Sequence, residues 1–313
     1  MSLDEVRQAM LLEAQLGRNG EAGAQLLAYQ PNAYDGKGRA AIVYGDLDHA
    51  DNVAVSVPGL KSGMHNIDNV AGDALHLYKQ ALKADPDQHT AVVAWQGYDA
   101  PGFGNVLFQG SAEGGAKLLA ADVNAMRATH DGSLGKLTVV AHSYGSTTTG
   151  LALQREGLLV DQVVLIGSPG VGGDAKTAAD LKLKPAQVFV GSASQDEVTT
   201  GTNTLGADPS HEDFGPVVRF KAESVDRDRN GFLADHSLYY DEGNHSESLY
   251  NLASIVTGHG DRLAAEGMLA EPRHTAWTID SAGDAVLIDE DPEATRTPTA
   301  GHDHANDPGS TNP

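Results

Sequence analysis

The fold turns on one stretch of the chain, Lys136-Leu-Thr-Val-Val-Ala-His142-Ser143-Tyr144-Gly145-Ser146. Its first half is an apolar, β-branched run of buried-strand length. Small residues follow, and Thr147–Gln154 then reads as a helix. A strand that enters a tight turn and leaves it as a helix is the setting of a nucleophile elbow. Such a turn accepts only small side chains around the serine. Ala141 and Gly145 hold those places, so the motif reads A-x-S-x-G. Ser143 is then expected at a helix N-terminus, where first-turn N–H groups and the helix dipole favour a developing negative charge. The plainer reading makes Ser143 a helix cap. His142, in the same turn, reads as structural rather than as a general base.

Outward from this turn, strands and helices alternate. Strands are expected at Ala41–Tyr44, Asn52–Val57, Thr90–Trp95, Lys136–Ala141, Gln162–Ile166, Gln187–Val190 and Val217–Lys221. Helices are expected at Asn66–Ala84, Ala112–Thr129, Ser146–Glu156 and Ser246–Leu263. That alternation implies an α/β fold with a mostly parallel central sheet and helices on both faces. Residues 1–40 read as a helical segment, Leu3–Leu27, followed by a loop. Residues 41–288 read as the α/β domain, closing on a hairpin over Thr275–Ile288. Residues 289–313, rich in Asp, Pro, Thr and Gly, read as a disordered acidic tail.

An elbow serine is served by an acid and then a histidine, in that chain order. Asp196 follows the strand Gln187–Val190 through a small-residue loop and is the expected acid, with Asp174 as its competitor. His211, His236 and His245 are candidate bases, and position alone leaves His236 and His245 level. An oxyanion hole needs two backbone N–H donors. Tyr144 supplies one. Leu60, in Val57-Pro-Gly-Leu-Lys61 after an early strand, supplies the other, with Lys61 as the alternative.

Composition narrows the field. The 313 residues carry 21 Lys+Arg against 43 Asp+Glu, a net charge of −22. Binding to a nucleic-acid backbone or to an anionic membrane is disfavoured. The chain has no cysteine, which removes thiolate zinc sites and a cysteine nucleophile. No apolar run is long enough to span a membrane, and no signal peptide is visible, so a cytoplasmic location is expected. Asp226-Arg-Asp228-Arg-Asn230-Gly231 copies half of a calcium loop but lacks its closing glutamate. His302-Asp-His304 is a weaker metal pattern. No cofactor or metal is expected.

Together these pieces resemble a largely actinobacterial family of α/β-hydrolase-like proteins of unassigned function, distantly related to lipases and esterases. The resemblance runs from about Gly45 to about Gly258. Its marks are Gly45-Asp-Leu-Asp48, Pro58-Gly59, Trp95-Gln-Gly-Tyr98, Ala141-His-Ser-Tyr-Gly-Ser146, Gly167-Ser-Pro-Gly170, Gln195-Asp-Glu-Val198 and His236-Ser237. It implies the α/β-hydrolase fold, with Ser143 as nucleophile and Asp196 as acid. The family's His-Ser pair, shortly before a Ser-x-Ser-Leu helix start, implies His236 as base.

The resulting expectation is a serine hydrolase acting on a small-molecule ester or related acyl substrate. A non-catalytic binding module on the same fold and an acyltransferase are the alternatives. The loops Gly97–Ser111 and Ser168–Lys184 are expected to cover the cleft, with Phe103, Val106, Leu107 and Phe108 as a candidate acyl pocket.

Overall fold

A computed structural model describes residues 2–298, apart from 106–107, 201–204, 226–232, 234, 243–245, 280 and 282–283, and apart from the side chains of Glu21 and Phe103. The calcium-loop pattern, His245, Val106, Leu107 and the His302-Asp-His304 pattern lie outside the described residues.

Eight strands form one sheet: β1 (Gln25–Gln30), β2 (Arg39–Tyr44), β3 (Asn52–Val57), β4 (Thr90–Gln96), β5 (Lys136–His142), β6 (Gln162–Ile166), β7 (Val188–Gly191) and β8 (Val218–Phe220). Their spatial order is β1-β2-β4-β3-β5-β6-β7-β8. The six strands from β4 to β8 in that order pair in parallel, whereas β1 and β2 pair antiparallel. The chain moves outward from β3 to β4 and then back past β3 to β5. This reversal opens a crevice at the carboxyl ends of β3 and β5, the place where open α/β sheets bind ligands.

Helices cover both faces because the inner strands are apolar on both sides. Val53, Val55, Leu137 and Val139 pack with helices α3 (Gly110–Thr129) and α4 (Tyr144–Leu151). Ala54, Val140 and Val164 face α1 (Leu3–Arg18), α2 (Ile67–Ala84) and α5 (Glu247–Val256). No described helix is long and apolar enough to cross a membrane.

The ends of the chain differ from the sequence reading. Helix α1 stops at Arg18, and Gln25–Gln30 is an edge strand of the main sheet rather than the end of the expected helical segment and the start of a loop. The strand is mostly exposed and has a register shift between Leu26 and Ala28, so it carries no alternating pattern. The α/β domain therefore begins before residue 41. At the other end, the hairpin β9 (His274–Ile279) and β10 (Ala285–Glu290) forms as expected. Residues 289–298, assigned above to the tail, pack onto the domain. Asp291 bonds Arg219 and Arg273, and Arg296 bonds the buried Glu247. Paired charges hold this segment, and a composition argument counts charges without their partners. The expected helix Ser246–Leu263 is split after Val256 by Gly258, whose φ is +87°.

Candidate active site

Strand β5 delivers Ser143 into the crevice. The residue has φ 55° and ψ −128°, a strained conformation for a side chain with a Cβ. Its N–H donates to Ile166 O at 2.9 Å, and its carbonyl accepts from Ser146 Oγ at 2.7 Å. The Ser143 side chain caps nothing at the start of α4, so the helix-cap reading does not hold. Gly145 is required because a Cβ there would stand 2.6 Å from Val57 O. Gly59 lies against the serine itself, where a Cβ would fall 2.6 Å from Ser143 Cβ.

Asp196, after β7, is buried and densely bonded. Its Oδ2 accepts from Tyr239 Oη at 2.8 Å, and its Oδ1 accepts from the Val198 N–H at 3.0 Å. His236 Nδ1 lies 2.8 Å from Oδ2 and 3.0 Å from Oδ1. Burial alone would raise the Asp196 pKa. The His236 hydrogen bond and charge outweigh it, with Tyr239 and Val198 adding to them, and hold the carboxyl below its ordinary range. Since Asp196 takes the Nδ1–H, Nε2 of His236 is the nitrogen left as an acceptor.

His142 supports His236 from beneath. The two imidazole rings are 4.7 Å apart, and His142 Nε2 donates to the His236 carbonyl at 2.9 Å. Burial, together with the neighbouring His236, pushes the His142 pKa down to about 3. It therefore stays neutral, consistent with a structural part. Gly167, at φ +55°, gives the pair its room. A Cβ there would stand 3.0 Å from His236 Cε1 and 3.1 Å from Asp196 Oδ2.

Ser143 and His236 line one cavity of about 520 Å³, together with Gly59, Leu60 and Tyr239. No hydrogen bond joins Ser143 Oγ to His236 among the described residues. Such contacts commonly tighten only around substrate. Leu60 borders the cavity, and its N–H has no acceptor among the described residues. The Lys61 N–H donates to Pro101 O at 2.9 Å, which removes Lys61 as the alternative oxyanion donor. Tyr144 is the first residue of α4, so its N–H has no partner within the helix.

The competing site residues lie elsewhere. Asp174 is exposed and pairs with Arg155. His211 accepts from the Asp213 N–H and sits beside Thr275, away from the cavity. The covering loops are also a correction. No described residue of 97–111 or 168–184 lines the cavity, and Phe108 is 70% exposed outside it. One wall instead comes from α2, with Asp68, Asn69, Val70, Asp73 and His76. Local apolar runs suggested a pocket in the 97–111 loop, whereas the approach of α2 to the elbow is set by tertiary packing. Tyr239, the second anchor of Asp196, was also missed; its place three residues after His236 was the available signal. Among the described residues no group of side chains is arranged to hold a metal ion.

An uncharacterized protein of Mycobacterium tuberculosis is 39% identical over 298 residues, covering 87% of this chain and 45% of its own length. An uncharacterized protein of Mycobacterium bovis is 34% identical over 180 residues, covering 54% of this chain and 65% of its own. The chain thus spans about half the length of the first and under two thirds of the second. Among solved structures it is similar to a putative thioesterase from a Silicibacter species, at 13% identity and TM-score 0.46, covering 80% of this chain and 92% of that one. It is also similar to a thermostable esterase, at 15% identity and TM-score 0.42, covering 69% of this chain and 58% of that one. A family model described as alpha/beta hydrolase matches residues 34–207, more than half of the chain, and the protein belongs to that α/β-hydrolase family.

Proposed function

We propose that the protein is a serine hydrolase that cleaves a carboxylic ester or related acyl substrate. The observation that carries this reading is the Asp196–His236 pair, which shares one cavity with a strained, non-capping Ser143. His236 Nε2 takes the Ser143 hydroxyl proton as Oγ attacks the acyl carbon. The N–H groups of Leu60 and Tyr144 receive the oxyanion. Asp196 stays ionised and stabilises the imidazolium. The tetrahedral species collapses, and His236 returns the proton to the leaving alcohol. Water, deprotonated by the same nitrogen, then releases the acid and restores Ser143.

The test is covalent labelling with a fluorophosphonate, followed by a series of p-nitrophenyl esters of increasing acyl length. Wild type is expected to label and to turn over esters, and Ser143→Ala to do neither. A folded wild type that resists the probe would favour the binding-module reading instead.

A further inference from the structure

The chemistry of the cavity wall opposite the elbow narrows the substrate. Asp73 stands on α2 and lines the cavity that holds Ser143 and His236. Among the described residues its carboxyl has no hydrogen-bond donor and no cationic partner. His76, three residues on along the same helix, has Nδ1 bonded to Tyr240 O at 2.9 Å and Nε2 4.0 Å from Glu242 Oε2. Lys61 is the only described Lys or Arg lining the cavity, and it stands there with two carboxylates, Asp68 and Asp73. Burial without a compensating donor raises the Asp73 pKa to about 7. A carboxyl left in that condition gains most from an incoming positive charge.

One further observation favours a cation over a neutral hydroxyl group. Tyr240 lines the same cavity, and an aromatic ring attracts a cation but discriminates little for a hydroxyl. The net charge of −22 also draws cations and repels anions at long range.

We infer that the substrate carries an ammonium or quaternary ammonium group, which Asp73 holds while the acyl carbon lies at Ser143. This rests on the serine-hydrolase reading and specifies its substrate class. Two isosteric pairs test it: choline acetate against 3,3-dimethylbutyl acetate, and the phenyl ester of 4-(trimethylammonio)butyrate against that of 5,5-dimethylhexanoate. In at least one pair wild type is expected to favour the cationic member at least tenfold in kcat/KM. Asp73→Asn is expected to bring that ratio within twofold of one, and Asp73→Glu, which keeps the charge, to retain most of it. Equal rates within both pairs for wild type, or an unchanged ratio in Asp73→Asn, would overturn the inference. Calorimetric titration with choline reads the site without turnover. Saturable binding by wild type that weakens at least tenfold in Asp73→Asn supports the cation site even if no ester is cleaved, and no binding by wild type counts against it. Neutral esters cleaved in a Ser143-dependent way, with no cation preference, would leave the hydrolase standing and remove only the substrate class.

Discussion

Asp196 meets His236 Nδ1 with both carboxylate oxygens, at 2.8 and 3.0 Å, while Tyr239 holds one of those oxygens from the other side. The carboxyl therefore has its position fixed twice, once by the His236 imidazole and once by a phenol.

Asp196→Asn keeps the shape but offers an amide N–H where Nδ1–H needs an acceptor, which favours the wrong tautomer of His236. Ester turnover should fall on the order of 10³- to 10⁴-fold with little change in KM. Stability should follow pH as well. A carboxyl held below its unfolded pKa of about 3.9 stabilises the fold above that pH, and the contribution is lost as pH falls through the depressed native value. Urea midpoints of wild type and variant should therefore differ at pH 6 and converge at the acid end.

His142 supplies a second pH dependence of its own. Its native pKa is about 3, against about 6.5 unfolded, so below pH 6.5 the unfolded chain binds a proton that the native state refuses. Its share of stability is complete above pH 6.5 and is lost as pH drops toward 3, at up to about 1.4 kcal/mol per pH unit. His142→Gln keeps a donor for His236 O and cannot titrate. Between pH 4 and 6 its unfolding free energy should vary less steeply than that of wild type by up to one proton.

Gly167→Ala puts a methyl group against His236 and Asp196 in a left-handed residue. Expected losses are about 1–2 kcal/mol of stability and roughly 10²-fold in kcat. Gly157→Ala is the control, because φ there is +67° but nothing lies within 4 Å of the added carbon. It should lose similar stability and keep its activity. Equal activity in the two variants would show that Gly167 does not position the pair.

Asp291 is the shared counterion of two buried guanidiniums, Arg219 at 2.7 Å and Arg273 at 2.8 Å. Arg273 also bonds Ser192 Oγ and Thr199 Oγ1, on either side of Asp196 in its loop. Asp291→Asn strands Arg219 and leaves Arg273 with only the more distant Asp208, at 3.7 Å, and should cost roughly 3–5 kcal/mol in chemical denaturation. Adding Arg219→Met should cost less than the sum of the two single changes, because it removes the stranded charge.

How much of this was written locally is clear from particular residues. The strand, turn and helix around Ser143 lie within twenty consecutive positions, and short-range pattern sufficed to read them. Asp196 was marked by the strand before it. His236 was not separable from His245 by position, and the family resemblance pointed to it. The edge strand β1 was missed because it is mostly exposed and irregular in register. Asp73 and Asp291 were illegible for another reason. Each matters through partners, or their absence, that only the folded chain brings near, and an isolated aspartate in a sequence looks like solvated surface.

The lock on the acid loop also has an order in time. Asp291 lies roughly 150 residues beyond Ser143, so at 5–20 residues per second it leaves the ribosome on the order of ten seconds later. Arg219 precedes it by 72 residues and Arg273 by 18, so each guanidinium is made before the anion the two share. A nascent chain can thus complete its sheet and its elbow before the segment that carries Asp291 has been made, and the Asp196 loop gains this brace last.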